Sequence, residues 1–482
     1  MDNNSKNIKW HALSFMCFST LWGFANVVNG FMYFNGIQVI FSWLMMFALY
    51  FIPYALMVGE LGSAFKNKGG GVTSWVQEVA SSKIAYYAGW TYWAVHVSYI
   101  AGKSSTGLKA IGWLVFRNAE TYDKFPTLFI QLASLIVLLL FCYIASKGLN
   151  PLKKLATIAG SSMFVLSILY IILMFGAPLI NPNGGYISID WSLKNLIPNF
   201  NIEYITSLSI LVLAVGGIEK ISPYVNKMEG NSAREFPKSM FFAAIMVVVC
   251  ALFGTIAMGM MFDPKIINAN IEIKNSYISN GAYWAFQKLG QYYGVGDLLL
   301  LIYSACTAIG QFSTLVLSID APLRMLLDDE NASRYVPKAL LQKNANGAYT
   351  NGIIMVAVLS GSIILAQMPV RNVAAVLTQL NKLNSICMPF RYIWVFFAYI
   401  MLKKKDGKFS QEYQFVKNKT LGMIIGAWCL FVTLFCCVTG VYSPDLSTLI
   451  LNIATPVVLM VLGVILPKIR EIQDKKEADK LL

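Results

Sequence analysis

Apolar stretches long enough to cross a lipid bilayer recur along almost the whole chain, from Trp10 to Pro467. A transmembrane helix needs about 20 mostly apolar residues, and of the 482 residues 57% are hydrophobic whereas only 13% are charged. The segments between these stretches are too short to hold a separate soluble domain. The sequence therefore predicts an all-α polytopic membrane protein. It excludes a cytosolic enzyme, a secreted disulfide scaffold and a nucleic-acid-binding module.

Polar and helix-breaking residues divide the chain into twelve predicted transmembrane helices within a single transmembrane domain, residues 1–480. The predicted helices cover residues 11–34, 38–60, 86–116, 126–146, 155–180, 203–224, 239–262, 295–322, 349–368, 373–402, 420–442 and 446–467. The residues that follow them, 468–482, are expected to form a short basic cytoplasmic tail.

The net charge of +14 is distributed unevenly. Of the 38 Lys and Arg residues, 26 lie in segments predicted on one side of the membrane and 7 in segments predicted on the other. Cytoplasmic loops of membrane proteins are enriched in these residues. We therefore expect both termini to lie in the cytoplasm. The positive charge is attributed to topology and to attraction by anionic lipid, not to nucleic acid.

The eight cysteines all fall within the predicted helices, and their spacing does not resemble that of a metal site. Buried cysteines commonly act as small apolar residues, and we expect that role here. The chain also has only two histidines, too few for a histidine-based metal site. We therefore expect no bound metal and no cofactor.

Two of the predicted helices carry residues that interrupt a helix near the middle of the membrane. The first contains FSTLWGFANVVNG, with Gly23 and Asn26 at mid-depth, and the sixth contains ILVLAVGGIEKISPY, with Gly216 and Gly217 before Glu219. Glycine costs a helix about 1 kcal/mol relative to alanine, and proline about 3 kcal/mol. Non-helical backbone at this depth is tolerated only where it is buried in protein or lines a cavity.

Two interrupted helices that lie five helices apart are typical of transporters built from inverted repeats. We therefore predict a five-plus-five inverted repeat with broken helices 1 and 6. The first repeat covers about 11–180, the second about 203–402, and the helices in 420–467 are appended to them. The substrate site is expected where the two breaks meet.

Polar residues of the predicted third helix also point to this site. Tyr92, His96, Tyr99 and Lys103 are spaced so that they share one helix face. A buried ammonium group costs about 2.5–3.5 kcal/mol on insertion scales, so Lys103 should face a partner or water. We predict that His96, Tyr99 and Lys103 contact the substrate. The alternatives are a structural ion pair or a position near the outer membrane interface for Lys103, a neutral hydrogen-bonded core position for His96 and helix packing for the tyrosines.

The predicted tenth helix carries Asn381, Lys382, Asn384 and Arg391 in an otherwise apolar run. These residues fit either a structural or gating network or direct substrate contact.

Trp22, in the first predicted helix, could stack on a substrate or act as an aromatic anchor.

Three stretches resemble the amino acid–polyamine–organocation (APC) transporters, and within them the bacterial glutamate/GABA-antiporter-like branch. ALMVGELGSAFKNKGGGVTSWV (55–76) resembles the end of helix two and the following loop. VGGIEKISPYVNKMEGNSAREFPKSM (215–240) is similar to the broken helix six, and APLRMLLDDENASRYVPKALLQKNANG (321–347) to the cytoplasmic end of helix eight.

The resemblance implies roles for residues at both breaks. Gly23, Phe24 and Ala25 lie where many relatives have Gly-Ser-Gly, whose free backbone N–H groups bind a substrate carboxylate with help from the half-helix dipole. The only glycine of this chain that matches is Gly23. Trp22 and Asn26 flank the segment and are expected to contact the substrate with it. At the second break, Gly216, Gly217 and Glu219 match the family pattern, which implies substrate contact for the glycines and proton coupling or gating for Glu219.

These observations predict a secondary active transporter of a bacterial-type plasma membrane that works by alternating access. The resemblance favours an antiporter that exchanges an amino acid or biogenic amine for its metabolic product, of the agmatine/putrescine, tyrosine/tyramine or glutamate/GABA type. The alternatives are a proton-coupled amino acid permease and a non-transporting membrane sensor or channel. Its expected partners are the small-molecule substrates and the bilayer, and its oligomeric state stays open.

The charges of the expected site favour different substrates. A cation at Lys103 favours an acidic or zwitterionic substrate, whereas Glu219 and the aromatic residues of helix three would accept an amine. If both Lys103 and Glu219 face the central cavity, their charges should be coupled.

Overall fold

The computed structural model describes residues 8–68, 71–147, 150–327, 333–370, 372–405, 407–409 and 411–481. Every extended regular element within these ranges is a helix. The helices of the first half are α1 (Trp10–Leu21), α2 (Phe24–Tyr33), α3 (Val39–Met46), α4 (Ile52–Ala64), α5 (Val72–Val79), α6 (Ser82–Ala94), α7 (His96–Phe116), α8 (Ala119–Asp123), α9 (Thr127–Ser146) and α10 (Asn150–Ile180).

The part of the chain that follows α10 is also helical. Its helices are α11 (Leu193–Leu196), α12 (Ile202–Val215), α13 (Ser232–Gly259), α14 (Pro264–Ile267), α15 (Ile271–Tyr292), α16 (Leu298–Leu327), α17 (Thr350–Ala366), α18 (Val373–Cys387), α19 (Tyr392–Lys404), α20 (Lys419–Gly440) and α21 (Leu446–Leu481). Short helical segments of other types connect some of them, namely Gly36–Gln38, Phe47–Phe51, Ile218–Lys227, Lys338–Leu341 and Met388–Arg391.

Among the described residues, eight helical segments are long and apolar enough to cross a membrane. They are Gly36–Ala64, Thr127–Ser146, Ile202–Lys227, Ser232–Gly259, Leu298–Leu327, Val373–Lys404, Lys419–Gly440 and Leu446–Asp479. Two further apolar helices, Phe164–Ile180 and Thr350–Ala366, are shorter. The prediction of an all-helical polytopic membrane protein is confirmed.

Two other predicted spans, the first and the third, belong to neither group, for reasons visible in their residues. The first span is divided between α1 and α2, so neither part is long enough. The third, α7, is 21 residues long but carries Lys103 and Lys109 among its apolar residues. Both segments pack in the interior, where polar groups and breaks can be accommodated.

Both predicted helix interruptions are present. Trp22 and Gly23 adopt extended backbone between α1 and α2. After α12, Gly216 is extended and Gly217 has a φ of +115°, a region that favours glycine. A further irregularity was not predicted: Met388–Arg391 forms a tighter, 3₁₀-type helical segment that joins α18 to α19 within the continuous helical span Val373–Lys404. Pro389 in this segment lacks a backbone N–H, which disfavours regular α-helical hydrogen bonding there.

Helical structure extends beyond the predicted spans in two places. α21 continues past the predicted end of the last span to Leu481, so the described residues of the expected tail are helical, and Arg470 pairs with Asp474 one turn later, at 2.9 Å. The cytoplasmic position of this segment stays a prediction. The region predicted as a loop between spans seven and eight contains α15, a helix of 22 residues. This helix lies over the central cavity described below.

The outward faces of many helices are apolar and exposed. Ile136 is 66% exposed, Leu179 84% and Val438 71%. Soluble monomers rarely expose apolar patches beyond a few hundred Å², whereas lipid tails cover such faces. The cysteines behave as predicted: seven are buried and Cys306 is half-buried.

Candidate functional site

A cavity of about 260 Å³ lies between both interrupted helices and helices α7, α15, α16 and α18. Four cationic side chains line it: Lys103 and Lys109 from α7, Lys220 from the segment after the second break, and Arg391 from the 3₁₀ segment between α18 and α19. Among the described lining residues there is no Asp or Glu. The cavity wall therefore carries an excess of positive charge.

Five of the residues predicted to bind substrate do line this cavity, namely Ala25, Asn26, Tyr99, Lys103 and Gly216. Asn26 also connects the two breaks, because its side-chain amide lies 3.3 Å from the carbonyl oxygens of both Leu21 and Ala214. The ends of α1 and α12 are thus held together at the cavity. The role of these residues in substrate binding stays a prediction.

Lys103 reaches a neutral partner. Its Nζ donates to Gln311 Oε1 at 2.7 Å, and the same oxygen accepts a hydrogen bond from Thr106 at 3.1 Å. The ammonium also lies 4.7 Å from the centre of the Tyr99 ring. Among its described contacts there is no carboxylate, so its charge remains available to an anionic ligand.

The other predicted site residues do not line the cavity. They are Trp22, Gly23, Phe24, His96, Gly217 and Glu219. Trp22 packs edge-on against Trp43, with ring centres 5.6 Å apart, and Phe24 packs against Tyr170 at 4.5 Å. Both aromatic side chains thus contribute to the apolar interior.

His96 is also absent from the cavity lining. Its side chain is buried, and Nδ1 lies 2.6 Å from the carbonyl oxygen of Tyr92. Val95, between α6 and α7, keeps helical backbone, and its N–H donates to Thr91 O at 3.1 Å. The structure therefore matches the alternative of a hydrogen-bonded core histidine.

Glu219 lies behind the second break in an ion pair. Arg391 Nε is 3.2 Å from Glu219 Oε1, and both side chains are buried. Tyr54 donates its hydroxyl proton to the other carboxylate oxygen. Glu219 does not line the cavity as Lys103 does, so the condition given for coupling between these two charges is not met in this structure. Arg391 is the residue whose charge compensates Glu219.

Aromatic rings surround the Arg391 guanidinium. Its centre lies 5.4 Å from the Tyr92 ring and 5.0 Å from the Tyr392 ring, and Nη2 is 3.3 Å from the Tyr392 hydroxyl. Such faces attract cations. These contacts and Glu219 hold Arg391 at the edge of the cavity, with Gly217 directly beside it.

Sequence reasoning missed Lys109, Lys220 and Gln311 as cavity residues. Lys109 and Lys220 carry a recognisable signal, since a charge within an apolar span is functional by default. Gln311 carries none, because an amide in a long helix is unremarkable in sequence.

Two sets of contacts hold elements next to the two breaks and the cavity. The chain before α1 pairs with the segment after the second break: Ile8 N donates to Lys227 O at 3.2 Å, and Glu229 N to Ile8 O at 2.9 Å. Lys109, which lines the cavity, pairs with Asp123 at 2.5 Å.

A family model for amino acid permeases matches residues 8–465. The chain belongs to this family. The resemblance to APC transporters is thereby confirmed, and the protein is a transmembrane amino acid transporter, not an enzyme. With its apolar helices, it is a multi-pass plasma membrane protein.

Individual relatives agree with this membership. The chain is 43% identical to the aspartate/glutamate permease AcaP of Lactococcus lactis subsp. cremoris, over 98% of this chain and 97% of the relative. It is 20% identical to a probable agmatine/putrescine antiporter, AguD, of Lactococcus lactis subsp. lactis, over 78% of this chain and 75% of the relative. A glutamate/gamma-aminobutyrate antiporter of the same subspecies is 22% identical over 48% of this chain and 44% of the relative.

Proposed function

We propose that this permease transports acidic amino acids, aspartate or glutamate. The observation that carries the proposal is the charge of the cavity, whose described wall contains three lysines and one arginine and no carboxylate. At neutral pH an acidic amino acid carries two carboxylates and one ammonium group. Two unit charges 4 Å apart interact by about 4 kcal/mol at an effective dielectric constant of 20. Such a substrate supplies the negative charge that the wall lacks.

Lys103 and Arg391 would act in different ways. Lys103 is bound by the neutral Gln311 and can pair with a substrate carboxylate without losing an ionic partner. Arg391 is already compensated by Glu219, so it adds less net attraction. The α-carboxylate would bind near the broken helices, where free backbone N–H groups and the helix dipole favour an anion.

Amine substrates are less compatible with the positive charge of the cavity wall. Agmatine and putrescine carry two positive charges, and bringing them next to Lys103 and Lys109 would be repulsive. The relative that is 43% identical is named an aspartate/glutamate permease, which supports the acidic choice. The relative named for agmatine and putrescine is 20% identical. Of the three exchange types predicted, the glutamate/GABA type agrees best with the cavity.

For the mode of transport, we take exchange by alternating access as the proposal and proton-coupled uptake as its competitor. The proposed architecture has twelve transmembrane helices in a five-plus-five inverted repeat, with both termini cytoplasmic. Reporter fusions test it directly. Fusions after Lys68, Arg234 and Lys405 should read cytoplasmic, and those after Asp123 and Lys274 external. A cytoplasmic signal at Lys274 would contradict the repeat.

Uptake into proteoliposomes tests substrate and mode together. Vesicles preloaded with glutamate should take up labelled aspartate or glutamate many-fold faster than unloaded vesicles, without sodium, and excess agmatine, putrescine or tyramine should not compete. Equal uptake into unloaded vesicles, abolished by a proton uncoupler, would favour the proton-coupled permease. Competition by agmatine with no competition by aspartate would overturn the acidic substrate class.

A further inference from the structure

Lys109 and Asp123 form a buried ion pair at the end of the cavity beneath α15. Lys109 Nζ lies 2.5 Å from Asp123 Oδ1, and the Lys109 side chain is only 1% exposed, whereas that of Asp123 is 20% exposed. Lys109 also lines the cavity, but Asp123 does not. The lysine can therefore be approached from the cavity, while its carboxylate partner lies on the far side.

The second oxygen of Asp123 connects this pair to α15. Asp123 Oδ2 accepts a hydrogen bond from the side-chain amide of Asn280 at 2.9 Å. Asn280 is fully buried, and its Oδ1 accepts from Trp113 Nε1 at 2.9 Å. Since α15 places Ile278 and Ala282 on the cavity wall, one carboxylate joins Lys109 of α7 to the helix that covers the cavity.

We propose that Lys109 binds the side-chain carboxylate of the substrate. In the absence of substrate, the carboxylate of Asp123 occupies this position beside Lys109. Lys109 is then a specificity-determining residue that distinguishes acidic amino acids from their neutral amides. The proposal rests on the proposed function, because it requires an acidic amino acid as the substrate.

Exchange of one carboxylate for another is physically reasonable at this position. An ammonium group has three donors in flexible geometry, so it can begin to bind the incoming oxygen before it releases Asp123. Lys109 keeps an anionic partner throughout and is never a stranded buried charge. The released Asp123 is partly exposed and can be hydrated. Its hydrogen bond to Asn280 would also be affected, which couples substrate charge to the position of α15.

A purely structural ion pair would behave differently when both partners are neutralised together. In the double variant Lys109→Gln/Asp123→Asn, two amides of similar size can hydrogen-bond to each other, and no charge is left unpaired. A structural role would be largely restored by this change. Recognition of a second carboxylate would not be restored, because the cation is gone.

The test measures competition by L-aspartate and by L-asparagine against labelled glutamate uptake in proteoliposomes. In Lys109→Gln, and equally in the double variant, inhibition by aspartate should weaken about tenfold or more, with inhibition by asparagine changed less than about twofold. Asp123→Asn should strengthen inhibition by aspartate, since the internal competitor is removed. Where a variant does not transport, ligand-induced thermal stabilisation of the purified protein gives the same comparison.

Lys274→Gln is the matched control. Lys274 lies on α15 and pairs with Glu203 at 2.5 Å, but it does not line the cavity. Its loss should leave the ratio between inhibition by aspartate and inhibition by asparagine unchanged. If the Lys109→Gln/Asp123→Asn variant keeps the wild-type value of this inhibition ratio, the proposal for Lys109 is overturned. If aspartate does not compete even in the wild type, the proposed function itself fails, so the two failures are distinguishable.

Discussion

Glu219 and Arg391 form an ion pair inside the protein, with Arg391 Nε 3.2 Å from Glu219 Oε1 and at most 1% of either side chain exposed. The pair connects the segment after the second helix break to the 3₁₀ segment between α18 and α19. Removing two charges from water is costly, and their attraction offsets the cost only while both are present. The pair is therefore expected to stabilise the relative position of these two segments.

Neutralising one partner should destabilise the protein more than neutralising both. Glu219→Gln leaves the Arg391 charge buried without a carboxylate, which costs about 3–5 kcal/mol. The double variant Glu219→Gln/Arg391→Met removes both charges and should unfold at a higher temperature than Glu219→Gln. Thermal unfolding of the purified protein in detergent measures this. Equal destabilisation in the single and double variants would show that the pairing is not the main contribution.

Gly217 and Gly23 should respond differently to alanine. Gly217 has a φ of +115°, and an added Cβ would lie 3.1 Å from Arg391 Nη2. Gly217→Ala therefore combines backbone strain, about 1–3 kcal/mol, with a close contact to the buried guanidinium. Gly23 has a φ of −152° and no atom within 4 Å of an added Cβ. We expect a clear loss of thermal stability in Gly217→Ala and a wild-type melting curve in Gly23→Ala. The reverse order would contradict the described geometry.

The sequence predicted the helix breaks well because their causes are local. Two adjacent glycines such as Gly216 and Gly217 weaken a helix wherever they occur, and the charged Glu219 follows two residues after Gly217. Span positions also follow from local hydropathy, as α9 shows. By contrast, the partner of Glu219 is not a local property. Arg391 was recognised as a polar residue of its helix, but periodicity assigns a residue to a face and says nothing of which residue faces it.

His96 shows the same limit on a smaller scale. Its spacing from Tyr99 and Lys103 places all three on one face of an ideal helix, yet only the last two line the cavity. The His96 ring nitrogen instead contacts the carbonyl oxygen of Tyr92, one turn earlier in the chain. Residue spacing does not predict this side-chain-to-backbone contact, because spacing fixes the helix face and not the side-chain conformation.

Lys103→Gln should impair transport of acidic amino acids without unfolding the protein. The change keeps a hydrogen-bonding group near Gln311 but removes the charge that faces the cavity. A hydrogen bond to a charged group contributes about 1.5–3 kcal/mol, so the KM for aspartate should rise roughly tenfold or more. Initial rates of uptake over a range of aspartate concentrations give this value.

Lys382→Gln is the control for the loss of a lysine that, like Lys103, is half-buried. Lys382 donates to the Thr206 carbonyl and does not line the cavity. Its KM for aspartate should stay near the wild-type value, even if the protein is less stable. A similar increase in KM in both variants would contradict a direct role for Lys103.

Glu412 should make protein stability depend on pH in the acidic range. It lies in the segment between α19 and α20, where Lys66 Nζ is 2.5 Å from Oε1, Asn231 donates to Oε2 at 2.6 Å and Arg234 lies 3.7 Å away. The hydrogen bond from Lys66, together with that from Asn231, lowers the pKa of the Glu412 carboxyl below its usual 4.5. The segment is also held by Tyr413, whose backbone N–H donates to Ser63 Oγ at 3.1 Å.

The sign follows from this lowered pKa. Because the carboxylate is favoured in the folded state, its contribution is complete above pH 4.5 and is lost as the pH falls through the lower folded pKa. Glu412→Gln should therefore lower the melting temperature at pH 7, and its difference from the wild type should shrink as the pH falls below 4.5. Glu120→Gln, which removes an exposed carboxylate 3.5 Å from Lys124, should match the wild type throughout because exposed pairs contribute little. A Glu412→Gln difference that stays constant from pH 7 to pH 4 and below would show that the ionised carboxylate does not stabilise this segment.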